Sequence, residues 1–591
     1  MNKTEEIKEK FSKLERIGVI SSPSSTASLS IDILGTAVYK RLVGSLCCFN
    51  FIQENIDNYA LGQITEIGMR NNWIEGPTMR SLVRQRGVVE PITGRQDYHF
   101  ATMNVGSVLK VSNNVEPSIL GTVPSTGTLV SIVNDDMMDA LLKDYKSEFS
   151  YLGKVYGNET KMPMWFKHFG DKKSGGNGEA YHIGIFGKTG SGKSVLSKMI
   201  TLSYAKNKPM TIFILDPQGE FTKLKNESTI NELFKNKLKK DIQFISIKHL
   251  ILWGRELFKR ILTMSGFFDN FRSMREDKKE LAVKKIVDWL LDKAGEKVTL
   301  YGIKMSLQNF YREEIFNEVI DELSNEKFWA KIYSGDGKES IIEAVREIQS
   351  NTTSKSELYK LWYQTCNLFR HNGDTKKVSI KDLVDNIKGT QIGKFIVIDL
   401  SDDDIDNDII WNDEIRKLVI NELLKAIKTV GSEQYKKGEL LNTLIVIDEA
   451  HRIIPRELND EFDITKELIS TIKDGVNTTR KYGIGWMFIS QTLSGINSDV
   501  IKQIRTYIFG YGLSYGVERQ SLKEIIGGQD DYFNLYQTFK DPEAGIGTPE
   551  YSFMAIGPMS PLSFSGNPLF FTTFNFPKEF LEDNFRDFND D

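Results

Sequence analysis

Cysteine is scarce in this chain of 591 residues, which contains only Cys47, Cys48 and Cys366. Two of these residues are adjacent, and the set has none of the spacings of a metal-binding motif. The pattern indicates a reducing compartment in which the cysteines serve as small apolar residues. We therefore expect a cytoplasmic protein.

Long apolar runs are also lacking. No stretch approaches the ~18 consecutive apolar residues that suggest a membrane span. The first residues, MNKTEEIKEKFSKLERIG, mix acids with lysines and have no apolar centre, so they do not resemble a signal peptide. We expect Thr4 to Arg16 to form a short solvated helix, and we expect no membrane partner.

Neither sign of charge dominates. The chain has 76 Lys and Arg against 80 Asp and Glu, which gives a formal net charge of -4. This balance argues against a protein that coats nucleic acid through bulk charge, but it allows a local basic surface such as the lining of a ring. The length exceeds what one hydrophobic core usually holds, so about two to four domains are expected.

The most informative stretch begins with an apolar run from His182 to Phe186, which predicts a strand. It continues as GKTGSGKS, which fits G-x-x-x-x-G-K-[ST], and then as a helix. Glycines let backbone N–H groups surround a triphosphate, and the helix directs its positive end at the phosphates. In this pattern Lys193 reaches the β- and γ-phosphates and the Ser194 hydroxyl ligates Mg²⁺, so ATP and Mg²⁺ are the predicted cofactors. The predicted cofactor-binding residues are Gly187, Lys188, Thr189, Gly190, Ser191, Gly192, Lys193 and Ser194.

A second stretch supplies carboxylates. Leu444 to Ile447 is an all-apolar run typical of a parallel strand covered on both faces, and it ends in Asp448 and Glu449. We expect Asp448 to hold Mg²⁺ through water and Glu449 to polarise the water that attacks the γ-phosphate. A strand that ends in a solvated acid pair is the alternative, and the complete P-loop upstream disfavours it.

Two further strands carry candidate residues. Gly485 to Ser490 ends in Gln491, which is placed to contact the γ-phosphate. Arg480 precedes this strand, and an arginine near a sheet end can stabilise phosphoryl charge in a neighbouring subunit's site. A surface salt bridge is the simpler role for Arg480. Thr211 to Asp216 leads into Pro217-Gln218-Gly219-Glu220, which fits a ligand-binding strand end or an ordinary turn.

The rest of the chain suggests the domain organisation. Short β-rich runs from residue 15 to 150 predict a small barrel or sandwich, and helical periodicity from Leu250 to Asn386 predicts a helical bundle inserted into the α/β core. A loop is expected from Tyr156 to Ala180. Arg80, Arg84 and Arg86 either face phosphates or form a solvated surface. The predicted segments are a β-barrel at 1–150, core parts at 151–250 and 387–560, the helical insertion at 251–386 and a C-terminal segment at 561–591.

Four motifs together resemble the HerA-type ATPases of the HerA/FtsK superfamily. They are His182 with GKTGSGKS, DPQGE from Asp216, IDEAHR from Ile447, and RKYGIG from Arg480 with Ser490-Gln491. The resemblance implies an α/β fold with a RecA-like P-loop NTPase core, an inserted helical bundle and an N-terminal β-barrel. It also implies that Lys193, Glu449, Gln491 as sensor and Arg480 as a trans arginine finger form the catalytic set, with Ser194 and Asp448 at the metal.

The same resemblance implies a homohexamer with ATP sites between subunits that translocates on double-stranded DNA. It also implies a partner effector encoded nearby, either a nuclease or a sirtuin-like NADase, in antiphage defence. A DNA end-processing motor with a NurA-like nuclease and a secretion or conjugation ATPase remain alternatives. In such relatives the C-terminal segment braces a neighbouring subunit, so we expect that role for residues 561–591.

Overall fold

A β-barrel is followed by a large α/β sheet. The computed structural model describes these parts of the chain: 3–86, 96–271, 274–293, 306–333, 336–371, 377–388, 391–402, 405, 407–457, 463–544, 549–564 and 566–585. Among the described residues, no helix combines the length and the apolar character needed to cross a membrane.

The predicted N-terminal barrel is confirmed. Strands β2, β1, β7, β3, β4 and β5 pair in that order and close because β2 also pairs with β5, while β6 adds to the outer edge of β5. The interior holds buried apolar side chains such as Ile17, Phe49 and Met103. The strands are β1 Arg16–Ile20, β2 Leu29–Ile33, β3 Leu46–Gln53, β4 Ile56–Arg70, β5 Tyr98–Val111, β6 Val115–Ser118 and β7 Leu129–Ile132.

Helices flank the barrel. Ile7 of the first helix is fully buried, so this helix packs against the protein and is not simply solvated as predicted. Arg80 and Arg84 are exposed on a helix between β4 and β5, and the side chain of Arg86 lies outside the described part. These helices are α1 Lys3–Ser12, α2 Asn72–Glu75, α3 Pro77–Arg86 and α4 Asp135–Leu142.

The core is an eleven-stranded sheet in the order β12-β15-β11-β16-β17-β10-β18-β19-β20-β8-β9. The strands from β12 to β18 in this order are parallel, and the remaining neighbours are antiparallel. A separate pair, β13 and β14, lies beside the sheet. The strands are β8 Phe149–Val155, β9 Lys161–Trp165, β10 Ile183–Phe186, β11 Thr211–Asp216, β12 Ile242–Ser246, β13 Leu250–Ile251, β14 Val378–Ser379, β15 Phe395–Asp399, β16 Thr443–Ile447, β17 Ile484–Ser490, β18 Thr506–Phe509, β19 Ser552–Ile556 and β20 Leu569–Thr573.

The region predicted as a loop from Tyr156 to Ala180 contains a strand, β9, so this part of the prediction was wrong. Met162 and Met164 point inward and are fully buried, while β9 pairs with β8 at the edge of the sheet. Pro163 is tolerated there because an edge strand does not need every backbone N–H for pairing. The surrounding Gly, Lys and Asn residues hid this short alternating pattern.

The helices of the core pack on both faces of the parallel sheet, as a P-loop NTPase fold requires, which confirms the predicted fold class. Their interior side is apolar; in α14, for example, Leu418, Leu423 and Ile427 are fully buried. The core helices are α5 Lys193–Ala205, α6 Ser228–Glu232, α13 Ile380–Asp385, α14 Asp413–Lys436, α15 Ala450–Ile453, α16 Asp463–Thr478, α17 Ser498–Ile501, α18 Gly516–Ile525, α19 Asp530–Gln537 and α20 Lys578–Phe585.

The inserted helical bundle has an aromatic centre. Trp362 is fully buried, contacts the rings of Phe258 and Phe267, and donates its Nε1 hydrogen to the carbonyl of Phe310 at 2.6 Å. These aromatic side chains are therefore bundle core, as expected. The inserted helices are α7 Arg255–Met264, α8 Glu276–Lys293, α9 Glu313–Leu323, α10 Glu326–Trp329, α11 Asp336–Ser350 and α12 Thr352–Asn367.

Lys240 is buried although it belongs to a basic run. The run Lys235-Asn236-Lys237-Leu238-Lys239-Lys240 has the composition of a solvated helix end, but Lys240 is only 4% exposed. Its Nζ donates to the carbonyl oxygens of Asn207 and Met210 at 2.8 and 2.7 Å. Burial lowers the pKa of Lys240 to about 7. This lysine therefore ties the end of α5 to the start of β12.

The C-terminal segment belongs to the chain's own sheet. β20 lies between β19 and β8, and Phe570 and Phe571 are fully buried. The amide of Gln63 in the barrel donates to the carbonyl of Phe570 at 3.0 Å and accepts from its N–H at 2.8 Å. On α20, Asn584 pairs in the same two-way manner with the backbone of Tyr151 in β8. The segment thus joins the barrel to the core.

Candidate nucleotide-binding site

The predicted site residues other than Arg480 meet at the carboxyl ends of the parallel strands. In the register of the parallel strands, Phe186 lies beside Ser490, Ile447 beside Phe488, and Leu215 beside Ile447. The residues that follow these strands therefore emerge together at the carboxyl ends, where α/β sheets bind ligands. This geometry brings the P-loop, the two acids and Gln491 into one place.

The conformation of the P-loop depends on its glycines and on backbone hydrogen bonds to neighbouring parts of the chain. Gly190 and Gly192 have φ of 78° and 85°, which side chains with a Cβ rarely adopt. The N–H of Gly187 donates to the carbonyl of Ser490, and that of Lys188 donates to the carbonyl of Tyr511. α5 then begins at Lys193, so its unpaired N–H groups face the loop.

Lys193 is the buried cation of the site, with 9% of its surface exposed. Its Nζ donates to the carbonyl of Lys188 at 2.9 Å. Burial lowers the pKa of Lys193, while the nearby charges of Glu449 and Asp448 oppose that shift. The ammonium therefore lies between the loop and the two carboxylates, where it can exchange a backbone partner for a phosphate.

Asp448 is the most perturbed acid of the site. It is 6% exposed and stands beside Asp216 at the ends of adjacent strands. Burial raises the pKa of Asp448 to about 7, and the charges of Asp216 and Glu449 add to the effect. Asp216 itself accepts three backbone N–H groups and the Thr222 hydroxyl, so it fixes the turn after β11. Asp448 accepts the backbone N–H of Glu449 through Oδ1 at 3.0 Å, and its carboxylate is the candidate metal ligand of this pair.

Glu449 adopts a left-handed backbone conformation with φ of 48°, which is uncommon for a residue with a side chain. Its carboxylate is 7% exposed. Oε1 accepts from Gln491 Nε2 at 2.9 Å, and Oε2 lies 3.2 Å from Nδ1 of His451. The conformation places the carboxylate at the strand edge, between its two neighbours.

Gln491 connects the acid to the P-loop. While its Nε2 donates to Glu449, its Oε1 accepts from the Thr189 hydroxyl at 3.1 Å. Both contacts span parts of the chain that are far apart in sequence. A change at the phosphate-binding loop is therefore connected to Glu449 through one side chain.

The residues present fit a Mg²⁺-bound polyphosphate. Two buried oxygens on this edge, Ser191 Oγ and Glu449 Oε2, form no hydrogen bond within the described residues. The same described ranges contain no group of three or more His, Cys, Asp or Glu able to hold a metal ion. Mg²⁺ typically binds through one or two protein oxygens plus substrate phosphates, which Ser194 and Asp448 can supply.

Arg480 lies elsewhere. It follows α16 and precedes β17, so it sits at the amino end of the strand whose carboxyl end carries Gln491. The length of β17 separates it from its own P-loop by roughly 20 Å. Its guanidinium pairs with Glu179 at 2.8 Å, and Arg505 lies near the same carboxylate. The structure does not bring Arg480 to its own site.

Residues 180–427 match the family model described as "Helicase HerA, central domain". The match includes the P-loop, the Asp216 turn and the helical insertion. This central part of the chain is therefore similar to the central domain of HerA helicases.

Two curated relatives are similar to this chain. The DNA double-strand break repair helicase HerA of Sulfurisphaera tokodaii is 24% identical over 396 residues, which cover 65% of this chain and 63% of the relative. The protein of the same description from Sulfolobus acidocaldarius is 23% identical over 223 residues, which cover 36% of this chain and 42% of the relative. The chain thus spans less than two thirds of the length of either relative.

One solved structure that matches the chain is that of VirB4 of Thermoanaerobacter pseudethanolicus. It is 15% identical, with a TM-score of 0.37, over 73% of this chain and 97% of that protein.

Three residues of this site were not assigned a role from the sequence. His451 lies beside Glu449, although it belongs to the IDEAHR motif. Glu543 and Tyr551 lie against the P-loop glycines from far downstream. No local pattern marks these two, because their positions depend on how distant parts of the chain pack together.

Proposed function

We propose that this cytoplasmic chain hydrolyses ATP and translocates double-stranded DNA as a homohexameric ring. The observation that carries the proposal is the meeting of Lys193, Asp448, Glu449 and Gln491 at one sheet edge. These residues come from three separate stretches of sequence. Their chemistry matches phosphoryl transfer to water, in which positioning and charge stabilisation provide most of the catalysis.

Each residue has a role in that reaction. The P-loop backbone and Lys193 bind the phosphates, and Ser194 and Asp448 hold Mg²⁺. When bound, Mg²⁺ supplies charge neutralisation at the phosphate oxygens. Glu449 orients the attacking water and accepts its proton. Gln491 senses the γ-phosphate.

Arg480 acts on a neighbouring subunit. It lies at the amino end of β17, roughly 20 Å from its own P-loop, and this position supports a role between subunits. There its guanidinium would exchange Glu179 for the phosphoryl group of the neighbour. This assignment requires head-to-tail contacts between identical subunits, which generate a ring when the rotation between neighbours closes.

We also propose a partner effector, a nuclease or a sirtuin-like NADase encoded nearby, with a role in antiphage defence. This part rests on the motif resemblance and on the HerA-type core.

The test is particle mass and ATP turnover of the full chain, alone and with its gene neighbour, with and without double-stranded DNA. We expect a hexamer whose turnover rises with DNA. Glu449→Gln should retain ATP binding and lose turnover, and Lys193→Ala should lose both. A monomer without turnover under every condition would contradict the proposal. A DNA-indifferent hexamer that switches on its neighbour's activity would replace the motor with a scaffold.

A further inference from the structure

Two residues from the part of the chain before β19, Glu543 and Tyr551, lie directly against the P-loop. A Cβ placed on Gly190 would come within 2.2 Å of Oε1 of Glu543. A Cβ placed on Gly192 would come within 2.3 Å of Cγ of Tyr551. One carboxylate and one aromatic ring are therefore in van der Waals contact with the loop that is proposed to hold the phosphates.

Tyr551 lies at the helix end of the loop. Gly192 is the residue before α5, whereas Gly190 is nearer the middle of the loop. Tyr551 and Val195, in the first turn of α5, are both half-buried and border the same apolar cluster. An apolar surface with an aromatic ring thus adjoins the N-terminus of α5. In the proposed site, the phosphates of a bound nucleotide would end there and its nucleoside would begin.

The backbone of Tyr551 is fixed by hydrogen bonding to the sheet. The Tyr551 carbonyl accepts from the N–H of Thr573 at 2.9 Å, and β19 begins at the next residue, Ser552. β19 pairs with β18 on one side and with β20 on the other. The backbone of Tyr551 is therefore anchored at the end of a paired strand, which lowers the entropy cost of presenting its ring to a ligand.

We propose that Tyr551 is the platform on which the base of the bound nucleotide stacks. The inference rests on the proposed nucleotide binding at the P-loop and adds the subsite for the base. Aromatic side chains stack on any base because every base has a π-face, so the contact favours a nucleotide over a bare polyphosphate without selecting one purine.

Glu543 provides an internal contrast. Its carboxylate is exposed and lies against Gly190, where it repels the negative charge of any polyphosphate. The two side chains therefore act on different parts of the ligand. Removing the ring affects only ligands that carry a base, whereas removing the Glu543 charge affects every polyphosphate.

The experiment measures binding of MgATP, MgGTP and Mg-tripolyphosphate to the full chain by calorimetry. Tyr551→Ala should weaken ATP and GTP binding about tenfold, which is typical of a lost stacking contact. Its affinity for tripolyphosphate should remain within about twofold. Tyr551→Phe should match the wild type because it keeps the ring. Glu543→Gln should tighten all three ligands.

Tyr515→Ala is the matched control. Tyr515 is 74% exposed, and its ring centroid lies 5.9 Å from the Nζ of Lys188. It is thus a second aromatic residue beside the P-loop, but near the start of the loop. Its removal should leave the ratio of ATP affinity to tripolyphosphate affinity unchanged.

A second measurement does not depend on the truncated variant. In Tyr551→Trp, emission of the introduced indole should be quenched by ATP and not by tripolyphosphate. Equal ATP affinity of Tyr551→Ala and the wild type, an equal loss for tripolyphosphate, or quenching by both ligands would overturn the base platform. If Lys193→Ala still abolished binding, the proposed function would stand without it. A wild type that binds neither ATP nor tripolyphosphate would overturn both.

Discussion

Gln491 donates its amide hydrogen to the carboxylate of Glu449 at 2.9 Å. The proposed γ-phosphate sensor is therefore already hydrogen-bonded to the proposed general base. The other end of the same amide accepts from Thr189 on the P-loop. A γ-phosphate that attracts the Gln491 amide would therefore free one oxygen of Glu449 for water. This contact therefore couples phosphate binding at the P-loop to the availability of the Glu449 carboxylate as general base.

This link predicts a selective effect of removing Gln491. Gln491→Ala should lower kcat about a hundredfold, the size of a lost transition-state contact, while ATP affinity changes little. The measurements are steady-state turnover and equilibrium binding. Gln520→Ala, on the exposed helix α18, is the control and should leave both quantities unchanged. A parallel loss of affinity in Gln491→Ala would show that Gln491 only shapes the loop.

Asp448 predicts a pH-dependent stability with an unusual sign. Its pKa rises from 3.8 to about 7 on folding, so the folded chain holds the proton more tightly than the unfolded chain. Without Mg²⁺ or nucleotide, Asp448 does not lower the free energy of unfolding below pH ~4. Its destabilising effect on the folded chain then grows as the pH rises to ~7. The full penalty, at most on the order of 4 kcal/mol, applies above that pH.

Asp448→Asn should therefore raise the midpoint of thermal unfolding above pH 7 and leave it nearly unchanged near pH 4. The measurement is calorimetry of the ligand-free protein across this range. Asp499→Asn is the control, because the ion pair of Asp499 with Lys473 lowers its pKa. A constant difference between Asp448→Asn and the wild type at all pH values would refute the assignment.

The placement of Arg480 predicts complementation between subunits. Arg480→Ala and Glu449→Gln should each abolish turnover as pure rings. Mixed rings should regain about a quarter of wild-type turnover, because random neighbours combine an intact Glu449 with an intact Arg480 at that frequency. The test is turnover after subunit exchange. Mixtures that stay inactive would mean that Arg480 serves no neighbouring site.

Deleting residues 567–591 should unfold the core and not only separate subunits. The deletion removes β20, leaves β8 and β19 each without a partner on one side and takes away the buried Phe570 and Phe571. Loss of two such phenylalanines alone costs about 6 kcal/mol or more. The measurement is circular dichroism with sedimentation. Deletion of 586–591 spares β20 and α20 and is the control. A folded, monomeric 567–591 deletion would instead support the bracing role between subunits.

Local patterns were enough to predict which residues meet at the carboxyl ends of the parallel strands. Lys193 and Ser194 belong to a contiguous motif, and Asp448 and Glu449 follow an apolar strand, so the local sequence sets their positions. The barrel was predicted for a similar reason, because its short β-rich runs stand close together in the sequence. The helical insertion showed its own periodicity, as in Val283, Ile286 and Val287, which are buried.

What was missed depends on distant parts of the chain. Tyr551 lies on the P-loop because it directly precedes β19, which pairs with β18, and no residue near Tyr551 or Glu543 in sequence indicates the P-loop as a neighbour. Lys240 looked like one more charge in a basic run, and only its contacts with two carbonyls explain its burial. Such positions follow from packing, which a linear pattern does not contain.

The place of β20 also sets an order of events during protein synthesis. The hairpin of β8 and β9 leaves the ribosome early, but its partner on the other side, at Leu569–Thr573, emerges only after the entire parallel sheet and the helical insertion. Until then β8 presents an unpaired edge, which is the kind of surface that chaperones cover and that aggregates without them. The pair of β8 and β9 therefore stays apart from the rest of the sheet until residues 569–573 have been made.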